Sequence, residues 1–211
     1  MRIHYIITIH PSYIMIIPIS NKILDGFQLK NHEYLTDKSY YDLPSGQQEY
    51  RLYSYLTTFF NNTTILDIGT YTGRSAVALS YNETNKVVSY DIVDHIQNPS
   101  HKIYSKENIT FHIKNVIDDL NEEMIKSVKI IMIDIDHYET VETYILQRLR
   151  DIKFSGLILI DDITKHPEHD INICMNRLWN NIKETKYDFT PYGHWSGTGV
   201  VIMNDDIQFT F

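Results

Sequence analysis

Two short acidic strings each follow an uninterrupted apolar run, and this arrangement limits the fold more than any other feature of the chain. The run 130–133 is followed by Asp-Ile-Asp-His at 134–137, and the run 157–160 is followed by Asp161 and Asp162. Unbroken apolar runs of this kind predict strands that are buried on both faces of a parallel sheet. Ligands of such a sheet bind beyond the carboxyl ends of the strands, so these carboxylates are expected to converge on one crevice. They would repel one another there unless a cation lay among them.

A glycine loop upstream indicates what else binds in this crevice. Residues 65–75 read ILDIGTYTGRS, which is typical of a strand, a tight loop and the start of a helix. Gly69 permits the turn, Gly73 permits close approach of the backbone to a ligand, and the helix N-terminus offers free N–H groups to an anion. The glycine spacing is not that of dinucleotide-binding dehydrogenases, and no Lys-Ser/Thr follows as in a P-loop. Asp91, at the end of the next apolar stretch, is placed to bind two ribose hydroxyls.

These strings together resemble the class I S-adenosylmethionine-dependent methyltransferases. Within that class, D-x-D-H after the fourth strand and D-D after the fifth are similar to metal-dependent O-methyltransferases. The likeness is strongest to the antibiotic-sugar branch, which includes macrolide-sugar and aminocoumarin-sugar enzymes and the cephalosporin-hydroxylase-like group. It extends over roughly residues 45–203. The strings that carry it are LDIGTYTGRS at 66–75, VVSYD at 87–91, IDIDHYETV at 133–141, GLILIDDI at 156–163 and GTGVVIM at 197–203.

The resemblance implies a set of binding residues. Those implied for S-adenosylmethionine are Asp67, Gly69, Thr70, Tyr71, Gly73, Ser75, Asp91, Asn115 and Asp134. Lys-Asn-Val at 114–116 stands where the family more often has Gly-Asp-Ala, which is a departure at the expected adenine contact. The implied metal ligands are Asp134, Asp161 and Asp162, whose hard oxygen atoms suit Mg²⁺ or Mn²⁺.

Two adjacent residues are candidates for the catalytic base that takes the proton of the acceptor hydroxyl. Asp136 matches the base position of the aminocoumarin-sugar type, and His137 matches that of the macrolide-sugar type. His137 is preferred because an imidazole titrates nearer neutrality. Three further histidines, His166, His169 and His194, fall in predicted rim loops, and His194 with Trp195 is a candidate for lining the acceptor pocket.

Alternating strand and helix patterns predict an α/β fold with a Rossmann-like, doubly wound, mostly parallel sheet. The resemblance implies seven strands and a C-terminal antiparallel hairpin, formed by the late apolar runs around Phe189 and at 198–203. Residues 1–44 lack periodicity and are expected to form an N-terminal arm or cap on a methyltransferase domain at 45–211. Helices are expected at 47–60, 74–80, 139–150 and 170–184, with another starting near Asp118.

Composition limits the partners. The net charge is −8 and Lys and Arg are not clustered, so a nucleic-acid partner is not expected. The apolar segment 5–19 is interrupted by His10, Pro11 and Pro18, so we expect an arm that packs on the body or on a second subunit of a homodimer, rather than a membrane span. The single cysteine fits a reducing, cytoplasmic compartment.

The function predicted from these features is Mg²⁺-dependent O-methylation of a sugar or sugar-conjugated small molecule. Two alternatives remain open at this point. One is methylation of a catechol or other vicinal diol, which uses the same metal chemistry. The other is a methyltransferase-fold module that binds cofactor without turnover, although such a module has no use for so many converging carboxylates.

Overall fold

A computed structural model describes residues 14–165 and 172–211 of the chain, and its strands and helices alternate as the sequence predicts. The strands are β1 (Met15–Pro18), β2 (Thr64–Ile68), β3 (Lys86–Asp91), β4 (Ile109–Ile113), β5 (Val128–Ile133), β6 (Gly156–Asp161), β7 (Thr185–Asp188), β8 (Thr198–Met203) and β9 (Ile207–Thr210). The helices are α1 (Asn21–Asp25), α2 (Ser39–Asp42), α3 (Pro44–Thr57), α4 (Arg74–Leu79), α5 (Glu122–Ile125), α6 (Thr140–Asp151) and α7 (Asn172–Asn181).

Seven strands form the main sheet in the order β4-β3-β2-β5-β6-β8-β7. The first five in this order are parallel, and β8 pairs antiparallel with both β6 and β7. The predicted seven-stranded sheet with its closing hairpin is therefore confirmed. Chain order reverses between β2 and β5, which is the topological switch point where open α/β sheets bind ligands.

The sheet is buried on both faces because its central strands are apolar on both sides. Alternate residues such as Ile65 and Ile130 pack toward α3 and α4, whereas Leu66 and Ile131 pack toward α6 and α7. All six residues of β6 are buried. One layer of helices thus packs on each face of the sheet, and this packing positions the carboxyl ends of β2, β5 and β6.

Several predicted element boundaries differ from the structure. The helix expected at 47–60 begins and ends earlier, because Pro44 occupies its first turn, where a missing N–H is tolerated. The helix expected from Asp118 is instead a single 3₁₀ turn, Val116–Asp118, followed by the short α5, whose first turn is capped by the Asn121 side chain. The helix expected at 170–184 ends sooner, at Asn181.

The described part of the N-terminal segment packs on the body. Strand β1 pairs in parallel with β9, and this two-stranded ribbon buries Ile17 in the core beside α3. Residues 1–13, which include most of the expected apolar arm, lie outside the described residues. The division into a cap at 1–44 and a domain at 45–211 stays a prediction. Within the described ranges, no helix combines the length and apolarity that crossing a membrane requires.

Candidate active site

The glycine loop joins β2 to α4 at the switch point. Gly69 has φ +106°, and a Cβ atom there would lie 1.6 Å from the backbone oxygen of Asp134. Its N–H donates to the carbonyl of Tyr90 at 2.9 Å. Only glycine therefore lets the ends of β2 and β5 approach this closely. The loop brings the backbone of β2 against the first acidic string, as the sequence predicts.

A cavity of about 540 Å³ opens beside this loop. It is large enough for a nucleoside-sized ligand. Asp91 lies in its wall, where its carboxylate accepts the N–H groups of Tyr71 at 2.8 Å and Val93 at 3.0 Å. Asn115 lies opposite and accepts the Ile117 N–H at 3.0 Å. Asp91, Asn115, Gly69, Tyr71, Asp134, Asp136 and His137 are the predicted site residues that line this first cavity.

The structure buries the side chain of Asp67 beneath the loop. It accepts the Ser89 hydroxyl at 2.6 Å, and Ser89 in turn lies 2.6 Å from the Thr70 hydroxyl. Burial raises the pKa of Asp67 to about 7, although hydrogen bonds from Ser89 and Ser75 oppose this. Asp67 therefore supports the loop from below. Its Oδ1 is buried without a hydrogen-bond partner in the described part of the chain, and its place among the cofactor-binding residues stays a prediction.

Gly73 is required by its own surroundings. It has φ +85° at the start of α4, and a Cβ there would lie 2.2 Å from Cδ1 of Ile103. The left-handed backbone and the packing against Ile103 both favour glycine here, and the close approach of a ligand to Gly73 stays a prediction. Ser75 and Thr70, by contrast, line a second cavity on the other side of the loop.

This second cavity has a volume of about 200 Å³ and contains the converging carboxylates. Asp134 follows β5, Asp161 ends β6, and Asp162 comes next with φ +61°. Asp161 and Asp162 also lie with His194 in a group whose possible ligand atoms are all within 4.8 Å of one another. Gly69, Tyr71 and Asp134 line both cavities, so the two cavities adjoin at the loop.

His137 points into the acidic group, whereas its neighbour Asp136 does not. The Nε2 atom of His137 lies 3.1 Å from a carboxylate oxygen of Asp134 and 3.1 Å from one of Asp162. Its backbone has φ +62°, and its N–H donates to buried Glu142 at 3.0 Å, which holds this unusual turn. Asp136 is exposed at the edge of the first cavity. The structure thus brings only His137 close to the carboxylates.

The electrostatics of the second cavity are dominated by carboxylates. Burial, together with Glu49, Asp134 and Asp162, raises the pKa of Asp161 well above its usual range. Burial also lowers the pKa of His137, but its hydrogen bond to Asp134 and the nearby negative charges more than offset this and raise it overall. Oδ1 of Asp161 is buried and has no hydrogen-bond partner in the described part of the chain. An orphaned carboxylate oxygen among other carboxylates fits an oxygen-ligated divalent cation, and the predicted ligands Asp134, Asp161 and Asp162 have the right donor chemistry.

The rim of the second cavity comes from both ends of the described chain. Tyr40 of α2 hydrogen bonds to Nε2 of His194, and Nδ1 of His194 hydrogen bonds to Ser196. Burial lowers the pKa of His194, so its imidazole stays neutral at neutral pH. Trp195 beside it is 52% exposed. His194 therefore lines the second cavity and Trp195 packs beside it, while His166 and His169 lie outside the described residues. That His194 and Trp195 bind an acceptor stays a prediction.

Sequence reasoning missed several residues that line the second cavity, among them charged and polar side chains of α3 and α4. Glu49 and Tyr53 project from α3, and Arg74 starts α4. The Tyr53 hydroxyl donates to Glu49 at 2.8 Å. Arg74 was visible in the string after Gly73 as the first residue of a predicted helix, but nothing in the sequence marks Glu49, since one glutamate in an amphipathic helix is usually a surface residue.

Comparison with known proteins agrees with this geometry. A family model described as a methyltransferase domain matches residues 66–163. A Dictyostelium discoideum protein named Probable caffeoyl-CoA O-methyltransferase 3 is 28% identical over 151 residues, covering 62% of this chain and 60% of that protein. Cofactor-bound Rv0187 from MTB superposes with a TM-score of 0.55 at 16% identity, covering 87% of each chain. The Bacillus cereus O-methyltransferase in complex with SAH superposes with a TM-score of 0.52 at 15% identity, covering 86% of this chain and 87% of that one.

The extent of these matches determines what they show. The chain spans about 60% of the length of the curated relative that it matches. At 15–16% identity, the likeness to the two solved proteins shows a shared fold. The family match contains the glycine loop, Asp91 and both acidic strand ends, which supply part of the lining of the two cavities.

Proposed function

We propose that this chain is a class I methyltransferase, which transfers the methyl group of S-adenosylmethionine to a hydroxyl oxygen of a small molecule with the help of a divalent cation. The observation that carries this proposal is the pair of adjoining cavities. One is nucleoside-sized and walled by Asp91, and the other is lined by Asp134, Asp161 and Asp162. A cofactor in the first cavity and an acceptor in the second would meet where both are lined by Gly69, Tyr71 and Asp134.

The residues of the first cavity bind and orient the cofactor in this proposal. Asp91 accepts two backbone N–H groups, and its carboxylate has further lone pairs for the ribose hydroxyls. Asn115 faces the adenine end of the same cavity. Thr70 and Ser75, near the start of α4, lie on the side where the amino-acid end of the cofactor would enter the second cavity.

The residues of the second cavity prepare the acceptor. Asp134, Asp161 and Asp162 would hold Mg²⁺ or Mn²⁺, which when bound lowers the pKa of an acceptor hydroxyl. His137 is held between Asp134 and Asp162 and is placed to take the hydroxyl proton on Nε2. A base within reach of the reacting hydroxyl contributes a rate factor on the order of 10²–10⁴.

We propose a sugar or sugar-conjugated molecule as the acceptor. The exposed Trp195 ring at the rim offers an apolar face to a sugar ring, beside the polar groups of Tyr40 and His194. A vicinal diol on an aromatic ring is the second candidate, because the Dictyostelium relative is named for a caffeoyl-CoA substrate. Mass spectrometry of products from a panel of nucleotide sugars, glycosides and catechols distinguishes the two.

Chelation tests the dependence on a metal. EDTA should abolish methyl transfer, and Mg²⁺ or Mn²⁺ should restore it. Asp162→Asn should lose turnover but keep its affinity for S-adenosylhomocysteine, because Asp162 does not line the first cavity. Asp151→Asn, an exposed acid at the end of α6, is the matched control and should behave as wild type. Full activity after exhaustive chelation would exclude the metal-dependent mechanism.

A further inference from the structure

Glu49 is a buried carboxylate that the proposed reaction leaves without a role. It lies in α3, is 5% exposed and lines the second cavity. Its Oε1 accepts the Tyr53 hydroxyl at 2.8 Å. A buried carboxylate is unfavourable unless a cation or several donors compensate it, so its position facing a cavity calls for a ligand.

The charges around Glu49 indicate which kind of ligand. Glu49 lines the same cavity as the three predicted metal ligands Asp134, Asp161 and Asp162. Among the described residues that line it, Arg74 is the one lysine or arginine, so carboxylates outnumber the fixed positive charges. Asp161 contributes the buried Oδ1 that has no hydrogen-bond partner among the described residues. The atoms of Asp161, Asp162 and His194 already lie within 4.8 Å of one another, and a cation would draw the other two carboxylates toward them.

We propose that Glu49 supplies a fourth carboxylate to the cation site formed by Asp134, Asp161 and Asp162. This inference rests on the proposed function, because it extends the same site. A fourth carboxylate raises the affinity for a divalent cation, since affinity in oxygen-ligated sites rises with the number of charged ligands. This fourth carboxylate would come from helix α3, whereas the other three carboxylates come from the ends of strands β5 and β6.

A competing role for Glu49 is to bind the ammonium group of the cofactor. The cavity also contains Arg74 and Ser75 from the start of α4, where the amino-acid end of the cofactor is expected. The cation is favoured because the carboxylates that share the cavity with Glu49 belong to the acidic strand ends, and Asp161 among them has a buried oxygen without a hydrogen-bond partner in the described part of the chain. The two roles differ in which ligand loses affinity when the charge is removed.

Direct metal binding tests the inference without any turnover. Free Mn²⁺ is measured by electron paramagnetic resonance during titration of the full chain without cofactor. Glu49→Gln keeps the size of the side chain and an oxygen for the Tyr53 hydroxyl, but removes the charge. Its Kd for Mn²⁺ should rise by about ten-fold or more. Glu184→Gln removes a partly buried glutamate charge that pairs with Arg150 away from the cavity, and its Kd should not change.

Calorimetric titration with S-adenosylhomocysteine completes the test. If Glu49→Gln binds Mn²⁺ like the wild type but loses affinity for S-adenosylhomocysteine, Glu49 serves the cofactor and the inference is overturned. If both affinities are unchanged, it is overturned as well. A wild-type chain that binds no Mn²⁺ would overturn the proposed metal dependence itself, which is a separate outcome.

A conservative variant guards against misfolding of Glu49→Gln. Glu49→Asp keeps the charge but withdraws it by one methylene group. We expect a Kd for Mn²⁺ between those of the wild type and Glu49→Gln. Thermal melting gives an independent readout: the increase in Tm on adding Mn²⁺ should be smaller in Glu49→Gln than in the wild type. An equal increase in the two proteins would contradict a fourth carboxylate at the cation.

Discussion

At the scale of single residues, two neighbours in sequence have very different surroundings. His137 is held by Asp134, Asp162 and Glu142, whereas Asp136 is exposed at the edge of the first cavity. Alternation along an ideal strand would only have placed them on opposite faces. The left-handed backbone at His137 decides which of them turns toward the carboxylates, and that conformation has no signature in the sequence.

His137→Ala should lower kcat by about 10²–10⁴-fold, because it removes the base nearest the acceptor hydroxyl. A base acts only when it is deprotonated, so the acidic limb of the pH–rate profile should disappear in this variant. Asp136→Ala is the matched control and should have a smaller effect. The opposite ranking of the two variants in steady-state assays at saturating metal would assign the base to Asp136.

Asp91→Ala should weaken binding of S-adenosylhomocysteine by roughly 10- to 150-fold. The variant loses the charged acceptor for the ribose hydroxyls, and this loss should weaken binding by about 1.5–3 kcal/mol in total. Isothermal titration measures this directly. Asp94→Ala is the control, because Asp94 only caps nearby backbone N–H groups in the same loop at 2.9–3.1 Å. Equal affinity in Asp91→Ala and the wild type would remove Asp91 from the cofactor site.

Residues that follow buried strands could be placed from sequence, and residues on helices could not. Asp91, Asp134, Asp161 and Asp162 line the cavities because parallel strands end at one edge of the sheet. Glu49 reaches the same place only through the packing of α3 against the sheet, which depends on contacts far apart in sequence. Asp67 shows that position in such a strand does not determine exposure. It lies in a strand that ends at the site, but its side chain is fully buried.

At the scale of elements, the sequence was most informative for the long apolar strands and least informative for short pieces. Unbroken apolar runs predicted β5 and β6, because a strand that is buried on both faces is apolar at every position. The strands β1 and β9 are four residues each and stabilise one another, so neither has a strong signal alone. The short helix α5 depends on its Asn121 cap, and it was predicted at the wrong place.

An ion pair between elements gives a test at this scale. Arg150 of α6 donates to Glu184, just before β7, at 2.6 Å and 3.0 Å. Glu184→Gln should lower the free energy of unfolding by about 1 kcal/mol at neutral pH, because this pair is bidentate but partly exposed to solvent. Urea denaturation of both proteins measures the difference.

The same pair makes a prediction about pH. The hydrogen bonds from Arg150 hold the pKa of Glu184 below the ordinary glutamate value of 4.5 that it has in the unfolded chain. The contribution of the ion pair to the free energy of unfolding is therefore fully present above that value. It is lost as the pH falls through the lower pKa that Glu184 has in the folded protein. The difference between the wild type and Glu184→Gln should vanish at strongly acidic pH. A difference that persists there would mean that the pair acts through packing and not through charge.

At the scale of the whole molecule, segments that are far apart in the described chain come together. Strand β1 pairs with β9, and Tyr40 hydrogen bonds to His194 at the rim of the acidic cavity. The strand ends therefore supply the carboxylates of this cavity, while Tyr40 and His194 shape its rim. This division explains why sequence patterns placed the strand-end carboxylates better than the rim residues, since rim loops follow no periodic pattern.

The buried carboxylates should also control how the stability of the metal-free protein depends on pH. Burial raises the pKa of Glu49 from 4.5 to about 8 and that of Asp67 from 3.8 to about 7. Burial also raises the pKa of Asp161. An acid with a raised pKa in the folded state contributes stability that is fully present below its unfolded pKa. That stability is lost as the pH rises through the folded value. In EDTA, Tm should therefore fall as the pH rises from about 5 to about 8.

Two comparisons locate the source of this pH dependence. Glu49→Gln cannot ionise at that position, so its Tm in EDTA should fall less steeply over the same range. Saturating Mg²⁺ should raise the Tm of the wild type most at the alkaline end, where the carboxylates are ionised and available to a cation. Differential scanning fluorimetry at several pH values measures all three curves. A Tm in EDTA that is flat or rises with pH would show that ionisation of these buried carboxyl groups does not destabilise the folded protein.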